Sequence, residues 1–247
     1  MSVDAFDRLE RICEEVDALG RVRVSDLAVD LAVSEMTIRR DLDMLAEQGR
    51  VRRVRGGALA LGPQRYSERF GVQARAKERI AAKLAPLVPE SGAVGMDASS
   101  TLQRLASAIA GARQLTVATN GLDAFCALRE GAGLTVLLTG GQHDPRTDSL
   151  VGPLAARAAH ALSLDRLFVS AAGLTLQGTT EATLEEAEVK LALAEVSTEV
   201  VVAVDHTKLE RQGVARCLGL DKVGTLVTDL DPKDARLAPY RRSVKIL

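Results

Sequence analysis

Thr37, Arg39 and Arg40, with Met36 beside them, are the residues of this 247-residue chain whose types and spacing most plainly suggest a chemistry. They lie in VSEMTIRRDLDMLAEQG, where Ile38, Leu42 and Leu45 recur at helical spacing and mark a buried stripe. A rotation of about 100° per residue turns Arg40 away from that stripe, with Met36 on its side and Thr37 and Arg39 flanking it. An arginine fork donates two parallel hydrogen bonds to guanine or phosphate, so a short helix offering Thr and Arg can read base edges in a major groove. Ser34 is placed to cap the helix and Gly49 to end it. A solvated charged face is the plainer alternative for two arginines on a helix.

The neighbouring elements favour the DNA reading. Upstream, Ser25-Asp26 is expected to cap a second short helix, SDLAVDLA, with Leu27, Ala28 and Leu31 on its apolar face. Only Val33 and Ser34 then separate the two helices. The first helix, Asp4 to Leu19, carries Phe6, Leu9, Ile12, Cys13 and Val16 on one side, and a short RVRV strand follows it. Downstream, RVRRVRGG alternates Val51 and Val54 with arginine around a Gly-Gly turn and reads as a basic β-wing that offers Arg53 and Arg55. The pattern is a winged helix-turn-helix. Its DNA-facing residues are expected to be Ser34, Met36, Thr37, Arg39, Arg40, Arg53 and Arg55.

A second set of polar residues recurs at the ends of apolar runs. The runs are AVGMD, LTVAT, LTVLLT, DRLFVSA, TEVVVAVD and GTLVTD, with helical stretches between most of them. This alternation predicts an open, mostly parallel sheet with helices on both faces, whose ligands bind at the carboxyl ends of the strands. There stand Ser99-Ser100-Thr101 opening a helix, Asn120-Gly121, Gly140-Gly141 and His206-Thr207-Lys208. Amides and hydroxyls at a helix N-terminus suit a phosphate, and Lys208 could add a cation. Taken singly, each is as well explained by a plain cap or turn.

Composition narrows the rest. Apolar residues make up 47% of the chain and aromatic ones 2%, so the core must be built from Ala, Val and Leu. The formal net charge of -1 gives no global sign of nucleic acid. Locally, six Arg stand against three acidic residues from Arg39 to Arg55. Cys13, Cys126 and Cys217 form no CxxC pair and are expected to be small buried residues; His143, His160 and His206 lack metal-ligand spacing. No metal and no cofactor is expected. No signal peptide and no apolar run near the ~18 residues of a membrane span is present, which points to a cytoplasmic protein without membrane contact.

Residues Arg8 to Ala58, above all VSEMTIRRDLDML followed by RGGA, resemble the DNA-binding domain of the DeoR-type family of bacterial sugar-responsive regulators. From about Tyr66 onward, DASST, ATNG, LTGG, VSAAGL, LEEAEVK and VDHTK are similar, in order, to that family's effector domain, whose fold is that of ribose-5-phosphate isomerase. The resemblance implies a winged helix at 1–58, a linker at 59–71 and an α/β effector domain at 72–247. It implies that Asp97, Ser99, Ser100, Thr101 and Lys208 hold the phosphate of a sugar, with Asn120, Gly140 and Gly141 lining the pocket. DASST and ATNG depart from the family's commoner loops, which leaves the sugar open. The isomerases place acids after the strand that matches DRLFVSA. Here Ser170-Ala171-Ala172-Gly173 follows it, with Glu181, Glu185 and Glu186 read as solvated charges in or before a helix. The expectation is a non-enzymatic regulator binding a double-stranded operator as a homo-oligomer and repressing until a phosphorylated sugar releases it. The alternative is a sugar-phosphate isomerase or hydrolase with an appended DNA-binding domain.

Overall fold

The computed structural model describes residues 3–48, 50–60 and 72–247. The chain divides into two compact units, Met1–Val72 and Gln73–Leu247. In the first, α1 (Val3–Leu19), β1 (Arg21–Arg23), α2 (Val24–Asp30), α3 (Glu35–Glu47), β2 (Val51–Val54) and β3 (Gly57–Ala60) follow in order. The three strands form an antiparallel sheet in the order β1-β3-β2. Leu9, Ile12, Cys13 and Val16 of α1 pack with Leu27, Ile38, Leu42, Leu45 and Val51. With no aromatic ring among them, the hold is aliphatic, and truncating Leu42 to Ala would remove about 2–5 kcal/mol. A β-carbon on Gly57 would sit 1.9 Å from the Val22 carbonyl oxygen, so only glycine lets β1 and β3 approach.

Three details differ from expectation. Helix α2 starts at Val24, one residue before Ser25, and its N-cap Arg23 makes no side-chain capping bond. Ser25 Oγ instead donates to Asp26 Oδ1 at 2.9 Å. The turn to α3 is longer than Val33-Ser34, because α2 ends at Asp30 and Ala32 reverses the chain at φ 52°. Strand β3 runs through Ala60, two residues into the stretch expected to be linker. The rest of that stretch, Gly49 and the Phe6 side chain lie outside the described residues.

The second unit runs α4 (Ala74–Leu84), β4 (Gly92–Met96), α5 (Ser100–Ile109), β5 (Arg113–Thr119), α6 (Leu122–Leu128) and β6 (Gly133–Leu138). A hairpin of β7 (Gln142–Asp144) and β8 (Ser149–Val151) leads to α7 (Pro153–His160) and β9 (Leu164–Val169). Next come β10 (Gly173–Thr175), β11 (Gly178–Glu181), α8 (Leu184–Glu195) and β12 (Ser197–Ala203). The chain closes with β13 (Ala215–Arg216), β14 (Thr225–Val227) and β15 (Lys245–Ile246). The six apolar runs all enter one seven-stranded sheet, order β15-β14-β12-β9-β4-β5-β6, and every pairing in it is parallel.

Strand alternation divides the core between two layers. Val94, Met96, Phe168 and Val201 face α4, α5 and α6 through Ile80, Leu84, Leu102, Leu105 and Leu128. Leu167, Val169, Val200 and Val202 face α7 and α8 through Ala155, Ala159, Val189 and Leu193. The β7–β8 hairpin and the small β10-β11-β13 antiparallel sheet carry no such alternating signal in the sequence.

Candidate functional site

The outward face of α3 is built as its sequence suggests. Ser34 Oγ accepts from the Thr37 amide at 3.2 Å and shares a hydrogen bond with Thr37 Oγ1 at 2.9 Å. Met36 is 61% exposed although apolar, and Arg40 is exposed on the same face with no ion pair among the described residues. Arg39 Nη2 donates to Glu35 Oε2 at 2.8 Å across one exposed helical turn. Such a pair contributes only about 0.3–0.5 kcal/mol and yields readily to a phosphate. Behind this face Asp41 is buried. It accepts from Arg8 Nε at 2.6 Å and Nη2 at 3.2 Å, which fastens α3 to α1.

The wing pairs one of its arginines internally. Arg53, expected to face DNA, donates from Nε to Asp43 Oδ1 at 2.6 Å and from Nη1 to the Gly57 carbonyl. Its guanidinium ties the wing to α3 and neutralises a carboxylate on the outward face of that helix. Arg52 and Arg55 of the wing are exposed. Alternation held the clue: Arg53 shares a strand face with buried Val51, and Arg52 points the other way.

In the second unit the polar loops gather at the carboxyl ends of β4, β5 and β9. A β-carbon on Gly121 would lie 2.7 Å from Ala98 Cα, so the loops after β4 and β5 touch. Ser99 caps α5, accepting from the Leu102 amide at 3.1 Å, while Ser100 and Thr101 are buried. Asp97, expected to meet the phosphate, is wholly buried beneath the loop. Its Oδ1 accepts from the Ser99 amide at 3.0 Å and its Oδ2 from the Ser170 amide at 2.8 Å, while Lys190 Nζ lies 2.8 Å away. A carboxylate so engaged positions the loop.

Asn120 stands beside it. Its Nδ2 donates to the Leu150 carbonyl at 3.2 Å, and its main-chain carbonyl accepts from the Leu150 amide at 2.7 Å. Because a carbonyl can only accept, the side-chain amide has one orientation. Its buried Oδ1 accepts no hydrogen bond among the described residues. Gly140 and Gly141 carry the chain from β6 into the β7–β8 hairpin.

Of the three acids expected on a solvated face, Glu185 is exposed, and Glu181 and Glu186 are inside. Glu181 ends β11 and Glu186 lies in the first turn of α8, both buried. Lys190 Nζ donates to Glu181 Oε1 at 2.7 Å and to the Ser170 carbonyl at 2.9 Å, and Glu186 accepts from Ser149 Oγ. Acid and base groups therefore do stand next to Ser170. Burial pushes the Glu181 carboxyl up to about 7, against the pull of Lys190. Burial alone would lower the Lys190 ammonium, but Asp97, Glu181 and Glu186 hold it above the usual range. The one sequence signal for Lys190 was a lysine inside the apolar run EVKLALA. Cys217 sits nearby with its thiol raised by burial to about 11; Cys126, expected to be buried, is exposed.

Lys208 closes a short 3-10 turn after β12, with β9 lying between its strand and β4. Two strand spacings, about 10 Å, separate it from the α5 N-terminus at the level of the sheet. Asp205 accepts from the Thr207 amide at 3.0 Å, and His206 bonds Asp229 through its amide at 2.7 Å and through Nδ1 at 2.8 Å. Arg211, absent from the expected set, is desolvated on the same segment, which lowers its pKa against the pull of Asp205.

A winged helix with an exposed arginine face, followed by a parallel α/β domain with polar loops at its strand ends, defines a DNA-binding regulator with a sensor domain. Residues 8–64 match the DeoR-like helix-turn-helix domain and residues 72–230 the DeoR C terminal sensor domain. The chain belongs to the DeoR family of transcriptional regulators. It is 33% identical to the HTH-type transcriptional regulator GolR of Listeria innocua over 91% of this chain and 90% of that protein. It is 29% identical to the glycerol-3-phosphate regulon repressor of Escherichia coli over 90% of this chain and 89% of that protein. Among solved structures, ribose 5 phosphate isomerase A of Neisseria gonorrhoeae matches with a TM-score of 0.38 at 17% identity. That match covers 54% of this chain and 52% of the isomerase and carries no argument about chemistry.

Proposed function

We propose that this regulator represses its operator as a homo-oligomer and that a phosphorylated sugar, bound at the strand ends of the second unit, changes its affinity for DNA. Met36, Thr37, Arg39 and Arg40 read bases, Ser34 sets the helix start, and Arg52 and Arg55 meet phosphates. The effector's phosphate lies at Ser99, Ser100 and Thr101, with Lys208 as counter-charge, and its hydroxyls meet Asn120 near Gly140 and Gly141. Asp97 shapes this site from below.

The observation that carries the sensor reading is Asn120 Oδ1, a buried acceptor with no donor among the described residues, beside the N-terminus of α5. Such an atom costs about 1–3 kcal/mol unless something donates to it, and a sugar hydroxyl would. The glycerol-3-phosphate regulon repressor, by its name, represses a regulon named for a phosphorylated polyol, which agrees in class. The test is a thermal-shift screen against ribose 5-phosphate, fructose 1-phosphate, glucose 6-phosphate and glycerol 3-phosphate, each beside its unphosphorylated parent. Stabilisation by a phosphate ester and not by its parent supports the reading; equal shifts from both would sink it.

One observation favours a second reading, that of a working isomerase: Asp97, Glu181 and Lys190 beside Ser170 are the group types that proton transfer needs. All three are buried and saturate one another, so none is presented to a substrate. Turnover of ribose 5-phosphate that disappears with Glu181→Gln would establish that reading instead.

A further inference from the structure

We propose that the α7–α8 face of the second unit is the surface on which a second copy of this chain docks. An amphipathic helix covering a sheet should turn its polar side to solvent, and these two helices turn leucines there among their charges. Leu154 on α7 is 61% exposed, and on α8 Leu184 and Leu191 are 71% and 36% exposed. Leu184 and Leu191 are seven residues apart and share one helical face. The two helices lie side by side: His160 Nδ1, at the end of α7, is 3.7 Å from Glu195 Oε2, at the end of α8. The three leucines are therefore presented by one two-helix surface, not scattered singly.

The charges on that surface identify the occupant. The outward residues of α7 are Pro153, Leu154, Arg157 and His160; those of α8 are Leu184, Glu185, Glu188, Leu191 and Glu195. Arg157 is the cation of α7, and three carboxylates, Glu185, Glu188 and Glu195, line α8. A two-fold axis across the face sets α7 of one copy on α8 of the other, twice, so each Arg157 meets an acidic helix while the leucines meet at the centre. An isologous contact requires this self-complementarity, and an unrelated partner has no need of it. The proposal specifies where the oligomer of the proposed function forms, and it is tested without DNA or effector.

The full chain is examined by sedimentation equilibrium from 1 to 100 μM. The wild type is expected to carry the mass of at least two chains, and Leu184→Glu with Leu191→Glu to halve it. Arg157→Glu and Glu188→Arg should each weaken association at least tenfold, and together restore it to within about threefold. These positions are exposed, and unchanged melting of a dilute sample confirms folding; the charge-swap pair decides the matter even if the leucine variant fails to fold. Leu137→Glu, on the edge strand β6, tests another exposed apolar position, since Leu137 is 39% exposed. A monomeric wild type, association unaffected by the α7 and α8 variants, or dissociation by Leu137→Glu instead would each overturn the proposal. Loss of operator binding with association intact would count against the proposed function and leave this interface standing.

Discussion

Lys190 Nζ lies 2.8 Å from Asp97 Oδ2, a contact between the middle of α8 and the loop that opens α5. Asp97 in turn holds the amides of Ser99 and Ser170, so a single ammonium sets the shape of two loops at the sheet's carboxyl edge. Removing it would leave buried carboxylates without a counter-charge. Lys190→Met should destabilise the second unit by about 3–5 kcal/mol. Adding Glu181→Gln should recover part of that loss, because one fewer charge then lacks a partner. Urea denaturation of the single and double variants measures both, and additive losses would mean that the groups are not coupled.

The same cluster makes stability depend on pH. Glu181 titrates near its ordinary value of 4.5 when unfolded and near 7 when folded, chiefly through burial. Between those values the native state holds the proton that the unfolded state has lost. Stability from this group is therefore present at low pH and falls as pH rises from about 4.5 to about 7. The fall is on the order of 3 kcal/mol. Glu181→Gln should flatten the decline between pH 5 and pH 7 in denaturation curves. An unchanged slope would mean that another group carries it.

The arginines of the first unit should divide by role. Arg40→Ala should weaken operator binding by about 1–3 kcal/mol and relax preference at one base position. Arg52→Ala and Arg55→Ala should weaken binding to all sequences alike and lower the salt slope by about one unit each. Arg53→Ala should leave the salt slope nearly unchanged and instead lower stability by up to about 1 kcal/mol, through loss of Asp43 and the Gly57 carbonyl. Gel shifts at several salt concentrations, paired with melts, separate these outcomes.

Periodicity made much of this fold legible. Ile38, Leu42 and Leu45 mark the buried stripe of α3 as spaced, and all six apolar runs pair in one parallel sheet. Periodicity reports which side of an element is wet, and it fails where tertiary partners decide. Arg53 looks like a surface cation because its partner, Asp43, lies ten residues away on another element. Glu181 and Glu186 look solvated because Lys190 and Ser149, which hold them inside, lie on a later turn of helix and in a hairpin that leaves no pattern. The polar loops could be read from their places after strands, but Asp97's role as a buried anchor could not.

Lys208 offers the sharpest test of the sensor. It is half-buried on the turn after β12, and the proposed function gives it the effector's phosphate across the width of β9. The plain alternative is a lysine that merely completes its turn. A charge-assisted contact with phosphate contributes about 1.5–3 kcal/mol, so Lys208→Ala should weaken binding of the sugar phosphate found by thermal shift about ten- to a hundredfold. Its affinity for operator without effector should stay near the parent's, because the substitution touches neither α3 nor the wing. The coupling between effector and operator is reciprocal, so the effector should bind more weakly to the protein–operator complex than to free protein, by the factor with which it loosens DNA. Calorimetric titrations of effector into free protein and into the complex, for parent and variant, measure all four affinities. If the variant binds effector as the parent does, Lys208 is not at the phosphate. Arg211, desolvated on the same segment, then becomes the cation to substitute.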